Sequence, residues 1–310
     1  MPIRTPSTLL TAIRDLGVPL PVRRAALDVA GKVVLITGGA DGIGFALARR
    51  LHARGATVAL VDVNPDGLAA AVDALGGQRV VTAQADVGDR PAVHAAVREL
   101  AQRTGGVDVV VAGAGITPPP ATLRQVEPAA FDRVVEVNVT GTLNTIQAAA
   151  GEVIASTGHI VVLSSCAAFT PGPGGAAYMV SKAAVEQLGR ALRLELAGHG
   201  ATAGIVYFGF VDTALARATL DDHPFGQALQ DRLPAPLRTR ISPDQAAAVL
   251  DRAIARRAGA DVAPGSWRPW ALLRGVVNVL ADAYLTADPH TRALVRDLET
   301  HSSDSRSAVR

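Results

Sequence analysis

The chain has 310 residues, 49 % of them hydrophobic, and its 30 basic and 28 acidic residues give a net charge of +2. Because the charges are interspersed and no basic run alternates with aromatic residues, we expect no nucleic-acid partner. The single cysteine, Cys166, excludes an internal disulfide and fits a reducing cytoplasm, where we expect the protein to work. The seven histidines show no metal-ligand spacing, so we predict no metal site.

The first predicted elements are a strand, a glycine-rich turn and a helix. Residues 32–37 form a β-branched apolar run, and residues 45–54 have a helical pattern. Between them the glycines permit a tight turn that brings backbone N–H groups and a helix N-terminus against a pyrophosphate. The candidate residues in this turn are Gly38, Asp41, Gly42, Ile43 and Gly44.

A second predicted strand, 57–61, ends in Asp62 about twenty residues after the turn. A carboxylate at this place can accept hydrogen bonds from both hydroxyls of an adenosine ribose. Asp41 and Asp62 would repel a 2′-phosphate, and no basic residue stands in the turn or in the two residues after Asp62. The sequence therefore predicts NAD as the cofactor rather than NADP.

Four more strand-like runs alternate with helical stretches along the rest of the chain, at residues 79–83, 107–112, 159–164 and 201–208. Such alternation predicts an α/β fold of the Rossmann type, in which a doubly wound parallel sheet has right-handed crossovers. We expect one NAD-binding and catalytic domain at 30–265, preceded by an extension at 1–29 and followed by a helical extension at 266–310. Residues 1–20 lack the long apolar region of a secretory signal.

Tyr178 and Lys182 lie four residues apart in a predicted helix, thirteen and seventeen residues after Ser165. Residues at i and i+4 share a helix face, and a nearby cation lowers the pKa of a tyrosine from its usual value of ~10. Only Lys32 and Lys182 are lysines among the 30 basic residues, which indicates a specific need for an ammonium group here. The pair alone would also fit an ordinary amphipathic helix face.

Together these motifs resemble the short-chain dehydrogenase/reductase family, in its single-domain branch. The resemblance spans roughly residues 30–265 and rests on the glycine turn, the Ser165, Tyr178 and Lys182 spacing, and the sequence Asn-Val-Thr-Gly that begins at Asn138. It implies that Asn138 holds a proton-relay water and that Ser165 hydrogen-bonds the substrate oxygen. It also implies that Tyr178 transfers the proton, while Lys182 lowers the Tyr178 pKa and anchors the nicotinamide ribose.

The same resemblance implies further cofactor contacts and an assembly. Asp86 and Val87 match a pair that contacts adenine, and Val211 and Thr213 match the segment that holds the nicotinamide carboxamide. The family commonly pairs its long helices, so we expect a homodimer or homotetramer through the helices near 131–150 and 178–197.

Two positions depart from the family pattern. Gly113 replaces the usual asparagine after the fourth strand, so we expect it to offer its backbone to the adenosine ribose in a looser site. Phe208 replaces a proline and either enlarges an apolar wall near the substrate or fills the core. The residues after the nicotinamide segment, roughly 214–240, suggest an apolar lid.

The implied activity is NAD-dependent hydride transfer between a secondary alcohol and a ketone, with a bulky apolar substrate that is steroid-like, lipid-like or aromatic. The alternative, which the Gly113 and Phe208 departures keep open, is a sensor or scaffold that binds the dinucleotide without turnover.

The C-terminal extension contains a predicted amphipathic helix at 267–286. Its polar stripe is Arg274, Asn278 and Asp282, and its apolar side is Trp270, Leu273, Val277 and Leu280. We expect the apolar side to pack on its own domain or on a partner subunit. Contact with a membrane surface is the alternative, which we do not favour.

Overall fold

The computed structural model describes residues 25–307 and the side chains of residues 25–300. Its main feature is a seven-stranded sheet whose neighbouring strands all pair in parallel. The order is β3-β2-β1-β4-β5-β6-β9, and a short parallel pair, β7 with β8, lies beside it. The strands are β1 Val33–Thr37, β2 Thr57–Asp62, β3 Val80–Gln84, β4 Val109–Ala112, β5 His159–Ser165, β6 Thr202–Phe208, β7 Phe210–Val211, β8 Arg240–Ile241 and β9 Ala260–Ala263.

Helices connect the strands and cover both faces of the sheet. A π-helical turn, Glu136–Thr140, joins α4 and α5. The helices are α1 Gly42–Ala53, α2 Pro65–Ala74, α3 Arg90–Thr104, α4 Pro128–Val135, α5 Gly141–Ala155, α6 Ala176–Ala197, α7 Ala214–Ala216, α8 Pro224–Arg232, α9 Pro243–Ala255, α10 Arg268–Ala287 and α11 Pro289–Ser307. This architecture confirms the predicted Rossmann-type α/β fold. All six predicted strands are present, whereas β9 was not predicted.

Two apolar cores lie on opposite sides of the sheet because successive residues of a strand point to opposite faces. In β1, Val33 and Leu35 belong to one core, and Val34 and Ile36 belong to the other. Each central strand is therefore buried on both faces, as parallel sheets require. The strand order reverses between β1 and β4, and ligands of such sheets bind at the carboxyl ends of the strands there.

The predicted limits of the N-terminal extension, the central domain and the C-terminal extension stay a prediction. Near the first limit, Leu27 and Val29 are buried in the second core, and the Leu27 amide donates a hydrogen bond to the Ala255 carbonyl at 2.8 Å. The residues assessed for a secretory signal lie outside the described part. Within residues 25–307, no helix has the length and apolar character needed to cross a membrane.

Helix α10 confirms the predicted helix to within one residue at each end. Of its predicted apolar side, Trp270 packs against the first core, whereas Leu273 and Leu280 are 59 % and 67 % exposed in the single chain. Packing of these two leucines on a partner subunit stays a prediction. The side facing the domain carries Arg274, which donates two hydrogen bonds to the buried Glu186 carboxylate of α6. Arg274 thus compensates the charge of a buried carboxylate, and Trp270 and Ala271 of the same side pack against the first core.

Candidate active site

A cavity of about 980 Å³ opens at the carboxyl ends of β1, β2, β4, β5 and β6. Most of the predicted cofactor and catalytic residues share its lining, although they are spread over more than 170 positions of the chain. Those residues are Gly38, Asp41, Gly42, Ile43, Gly44, Asp62, Gly113, Ser165, Tyr178, Lys182, Val211 and Thr213. Asn138, Asp86 and Val87 lie outside this lining.

The glycine turn forms a cradle that only glycine can make at two of its positions. Gly38 has a φ of +70°, a left-handed conformation that disfavours side chains, and a Cβ on Gly44 would lie 2.0 Å from the Gly38 carbonyl oxygen. Helix α1 begins here, and its N-cap residue Asp41 makes no side-chain hydrogen bond to the helix. The first-turn N–H groups are therefore available to an anion, so the cradle fits a pyrophosphate.

Asp62 lies at the end of β2, beside this turn. Its Oδ2 accepts a hydrogen bond from the Ala40 amide at 3.1 Å, and its Oδ1 accepts one from the Asn64 amide at 3.1 Å. These bonds hold the half-buried carboxylate in place, while its remaining lone pairs can accept hydrogen bonds from hydroxyl groups. On the opposite wall, a Cβ added to Gly42 would lie 3.5 Å from Thr213 Cγ2. Thr213, which we predict to help hold the nicotinamide carboxamide, therefore lies next to the glycine turn.

Ser165, Tyr178 and Lys182 converge on one wall of the cavity. Ser165 ends β5, where its Oγ donates to the Phe208 carbonyl at 3.1 Å and accepts from the Ala167 amide at 3.1 Å. Tyr178 and Lys182 are one turn apart on α6, and Lys182 Nζ lies 5.5 Å from the centroid of the Tyr178 ring. Lys182 Nζ also donates to the Leu163 carbonyl at 3.0 Å.

Burial is the largest cause of the pKa shifts of Tyr178 and Lys182. It raises the pKa of Tyr178 to about 12, against the opposing effect of a hydrogen bond with Ser165, and it lowers the pKa of Lys182 to about 8. The net shift of the Tyr178 pKa is upward because desolvation of the phenol outweighs the hydrogen bond with Ser165. The expectation that Lys182 lowers the Tyr178 pKa stays a prediction.

Asn138 lies in the π-helical turn and is fully buried behind the cavity wall. Its Oδ1 accepts from the Ile116 amide at 2.8 Å, and its Nδ2 donates to the Ile116 carbonyl at 2.9 Å and to Ser181 Oγ at 2.9 Å. A Cβ on Gly115 would lie 3.3 Å from Asn138 Oδ1 and 3.4 Å from Lys182 Nζ, so both side chains approach the same glycine.

Asp86 and Val87 follow β3 and are held by protein contacts. Asp86 accepts from the Gly88 amide at 2.9 Å and forms an ion pair with Arg133. Although burial alone would raise the pKa of the Asp86 carboxyl, these two partners outweigh burial and lower it. The Val87 carbonyl accepts from Asn144 Nδ2 at 2.8 Å. The structure thus does not bring this pair into the cavity with the other predicted residues.

Gly113 and Phe208, the two departures from the family pattern, have different surroundings in the structure. The Gly113 amide donates to Thr37 Oγ1 at 3.2 Å, and a Cβ on Gly113 would lie 2.9 Å from the Thr37 carbonyl oxygen. The two backbones approach closely here, and the looser cofactor site expected at Gly113 stays a prediction. Phe208 is 5 % exposed, belongs to the second core and also lines the cavity. Phe208 can therefore fill the core and also form part of the apolar wall near the substrate.

Apolar residues from two parts of the chain line much of the rest of the cavity, together with the segments 117–121 and 170–177 and the arginines Arg232 and Arg238. The predicted lid contributes Leu215, Leu220, Phe225, Leu229 and Leu233. The C-terminal extension contributes Trp267, Trp270, Ala281, Tyr284 and Leu285, which the sequence analysis did not assign to the site. The signal that could have found them is that both tryptophans of the chain stand at the start of α10.

Comparisons with known proteins agree with this geometry. The chain is 36 % identical over 175 residues to a 2-dehydro-3-deoxy-L-rhamnonate dehydrogenase (NAD(+)) of Sphingomonas, which covers 56 % of this chain and 70 % of the relative. It is 35 % identical over 176 residues to the (-)-isopiperitenol/(-)-carveol dehydrogenase of Mentha piperita, with coverages of 56 % and 66 %. A 3-ketoacyl-(acyl-carrier-protein) reductase from Brucella melitensis complexed with NADH superposes with a TM-score of 0.67 at 27 % identity, over 76 % of this chain and 97 % of that one.

The family-level match covers six of the seven strands of the main sheet and the helix that carries Tyr178 and Lys182, but neither β9 nor the C-terminal extension. A sequence profile described as short chain dehydrogenase matches residues 32–224, which is more than half of the chain. Helices α10 and α11 lie beyond this match. On the profile, the relatives and the shared fold, the chain belongs to the short chain dehydrogenase family of oxidoreductases.

Proposed function

We propose that the protein is an NAD-dependent oxidoreductase that interconverts a bulky apolar secondary alcohol and its ketone. The observation that carries this proposal is the convergence of Ser165, Tyr178 and Lys182 on a cavity that also contains the glycine cradle and Asp62. Dinucleotide-binding residues and an acid–base group therefore face the same space. The chain would act in the cytoplasm as a homodimer or homotetramer.

NAD is proposed as the cofactor because Asp62 presents a carboxylate where NADP would place a 2′-phosphate. The Sphingomonas relative is named for NAD(+), and the Brucella neighbour was solved with NADH, which supports this choice. The glycine cradle would hold the pyrophosphate, and Val211 and Thr213 would hold the carboxamide. We keep Asp86 and Val87 as candidate adenine contacts, and Gly113 as a backbone contact to the adenosine ribose.

When bound, the nicotinamide supplies hydride exchange with the substrate carbon. The chain's own task is to hold the substrate oxygen and to move a proton. Ser165 Oγ would donate a hydrogen bond to that oxygen, and Tyr178 Oη would give it a proton during ketone reduction or take one during alcohol oxidation. Burial raises the pKa of Tyr178 to about 12, so the phenol is neutral at pH 7 and ready to donate.

Lys182 and Asn138 would support this proton transfer. Lys182 Nζ uses one hydrogen bond for the Leu163 carbonyl, and its other donors remain for a ribose hydroxyl. Because Asn138 and Lys182 approach the same glycine, we propose that Asn138 positions a water that passes the proton outward. The apolar lid and the C-terminal residues around the cavity favour a bulky apolar substrate, either steroid-like, lipid-like or aromatic.

The test is the rate of nicotinamide absorbance change with NAD or NADP and a panel of secondary alcohols from small aliphatics to steroids. Tyr178→Phe should lose about 10²–10⁴-fold or more in turnover while still binding NAD. Tyr207→Phe is the matched control, because Tyr207 is buried on β6 and lies outside the cavity lining. Undiminished turnover in Tyr178→Phe would refute the mechanism. Tight NAD binding by the wild-type chain without any turnover across the panel would instead favour a dinucleotide sensor.

A further inference from the structure

Aromatic residues are rare in this chain but concentrated around its cavity. The chain has six phenylalanines, three tyrosines and two tryptophans, and seven of these eleven residues line the cavity, although fewer than a fifth of all residues do so. The two apolar cores are built mainly from aliphatic residues, so core packing does not account for this concentration. Besides Tyr178, the seven are Phe208, Phe210, Phe225, Trp267, Trp270 and Tyr284.

Three of these rings contact one another, and we call Phe210, Trp267 and Trp270 the aromatic row. The ring centroids of Phe210 and Trp267 lie 6.3 Å apart with an interplanar angle of 69°, and those of Trp267 and Trp270 lie 5.9 Å apart at 35°. Both distances are typical of attractive aromatic pairs. Gly209 permits this arrangement, because a Cβ at that position would lie 2.4 Å from Trp267 Nε1.

The two outer rings of the aromatic row are only half-buried. Phe210 and Trp270 pack against the first core and also line the cavity, whereas Trp267 between them is 4 % exposed. The Trp270 ring is further fixed by the hydrogen bond that its Nε1 donates to Asn278 Oδ1 at 2.9 Å. Rings that the protein already holds in place lose little freedom when a ligand packs on them, which favours binding.

The aromatic row begins beside the proposed reacting centre. Phe210 lies two residues after Phe208, whose carbonyl accepts the hydrogen bond from Ser165 Oγ at 3.1 Å. The far end of the row, Trp270, belongs to α10. A ligand whose reacting carbon is close to Ser165 can therefore extend its apolar part along the row.

The aromatic row distinguishes among the three types of substrate considered above. A saturated steroid or an alkyl chain gains from burial against leucine much as it does against an aromatic ring, since this gain depends on apolar area. An aromatic ligand gains more from rings, because the positive edge of one ring attracts the negative face of another. We propose, resting on the oxidoreductase function above, that the substrate is an aryl secondary alcohol or aryl ketone whose ring packs on the aromatic row.

Binding of two ketones that share one carbon skeleton tests this proposal without turnover. The probes are 2-acetylnaphthalene and its saturated counterpart 2-acetyldecalin, and saturating NAD, the oxidised cofactor, prevents reduction of either. Calorimetry should give a Kd for 2-acetylnaphthalene that is lower by about threefold or more. Burial alone predicts the reverse order, because the saturated ligand has the larger apolar surface.

Two leucine substitutions locate the preference on the aromatic row. Phe210→Leu and Trp270→Leu each replace a ring by an apolar chain, so each should reduce the ratio of the two Kd values by about threefold or more. Phe131→Leu is the matched control, because Phe131 is also half-buried but lies on α4, outside the cavity lining. Comparing the two ketones within one variant cancels any general effect of the substitution on folding.

Failure of this inference differs from failure of the proposed function. The inference is overturned if the wild-type chain binds neither ketone, binds both equally or prefers 2-acetyldecalin. It is also overturned if neither leucine variant lowers the preference, or if Phe131→Leu lowers it as much as they do. Oxidation of the corresponding alcohols with NAD would then still support the proposed function. Conversely, a preference for 2-acetylnaphthalene that depends on Phe210 and Trp270, without oxidation of either alcohol, supports the aryl ligand and contradicts the proposed function.

Discussion

Replacing Arg274 with methionine should expose how strongly the C-terminal extension is fixed to the catalytic helix. The Glu186 side chain is only 4 % exposed, and Arg274 gives it two charge-assisted hydrogen bonds of 2.8 and 2.6 Å. Methionine retains much of the apolar packing over the Phe169 ring, which lies 5.6 Å from the guanidinium carbon. The variant therefore removes the charge and the hydrogen bonds while leaving a buried carboxylate behind.

The expected cost follows from the burial of this pair. Removing one partner of a fully buried ion pair costs about 3–5 kcal/mol. Arg274 is itself 34 % exposed, and Arg190 remains 3.5 Å from Glu186, so we reduce the expected loss to about 2–3 kcal/mol. For a chain of 310 residues, such a loss lowers Tm by about 3–5 °C.

Scanning calorimetry and denaturant unfolding measure this loss directly. Arg190→Met is the matched control, because that arginine is 57 % exposed and its pair should contribute about 0–1 kcal/mol. Glu186→Gln combined with Arg274→Met should cost less than the sum of the single changes, since the double variant leaves no unpaired buried charge. An Arg274→Met variant no less stable than Arg190→Met would refute this reasoning.

Two further predictions concern the proposed chemistry. Asp62→Ala should lower the ratio of kcat/KM with NAD to kcat/KM with NADP by about tenfold or more, because it removes the carboxylate that repels a 2′-phosphate. An unchanged ratio would contradict the cofactor assignment. Burial raises the pKa of Tyr178 to about 12, so the deprotonated fraction grows about tenfold per pH unit below that value. The kcat/KM for alcohol oxidation should therefore rise from about pH 6 to pH 8, the range in which Lys182, whose pKa burial lowers to about 8, still keeps much of its charge, while that for ketone reduction stays nearly level. An oxidation profile that reaches its plateau below pH 8 would show that the tyrosine titrates much lower.

The elements that sequence reasoning found are those encoded by local pattern. Six strands are runs of apolar and β-branched residues, and the Tyr178 and Lys182 pair follows from helical spacing alone. Strand β9 was missed because its four residues, Ala260–Ala263, are short and only partly apolar, and it exists through pairing with β6. The raised pKa of Tyr178 was missed for a related reason, since desolvation depends on segments that are distant in sequence.

The orientation of α10 shows the same limit at the scale of a whole helix. Its period specifies which residues share a face, but the face that turns inward depends on a partner 88 positions away, the Glu186 carboxylate that Arg274 neutralises. Trp270 and Ala271 of the same helix pack against the first core, so apolar packing and the ion pair together hold this side inward. Arg274→Met should therefore loosen α10, and a dye on a cysteine introduced at position 283 should report this loosening by a change in its emission, since the natural Cys166 is buried.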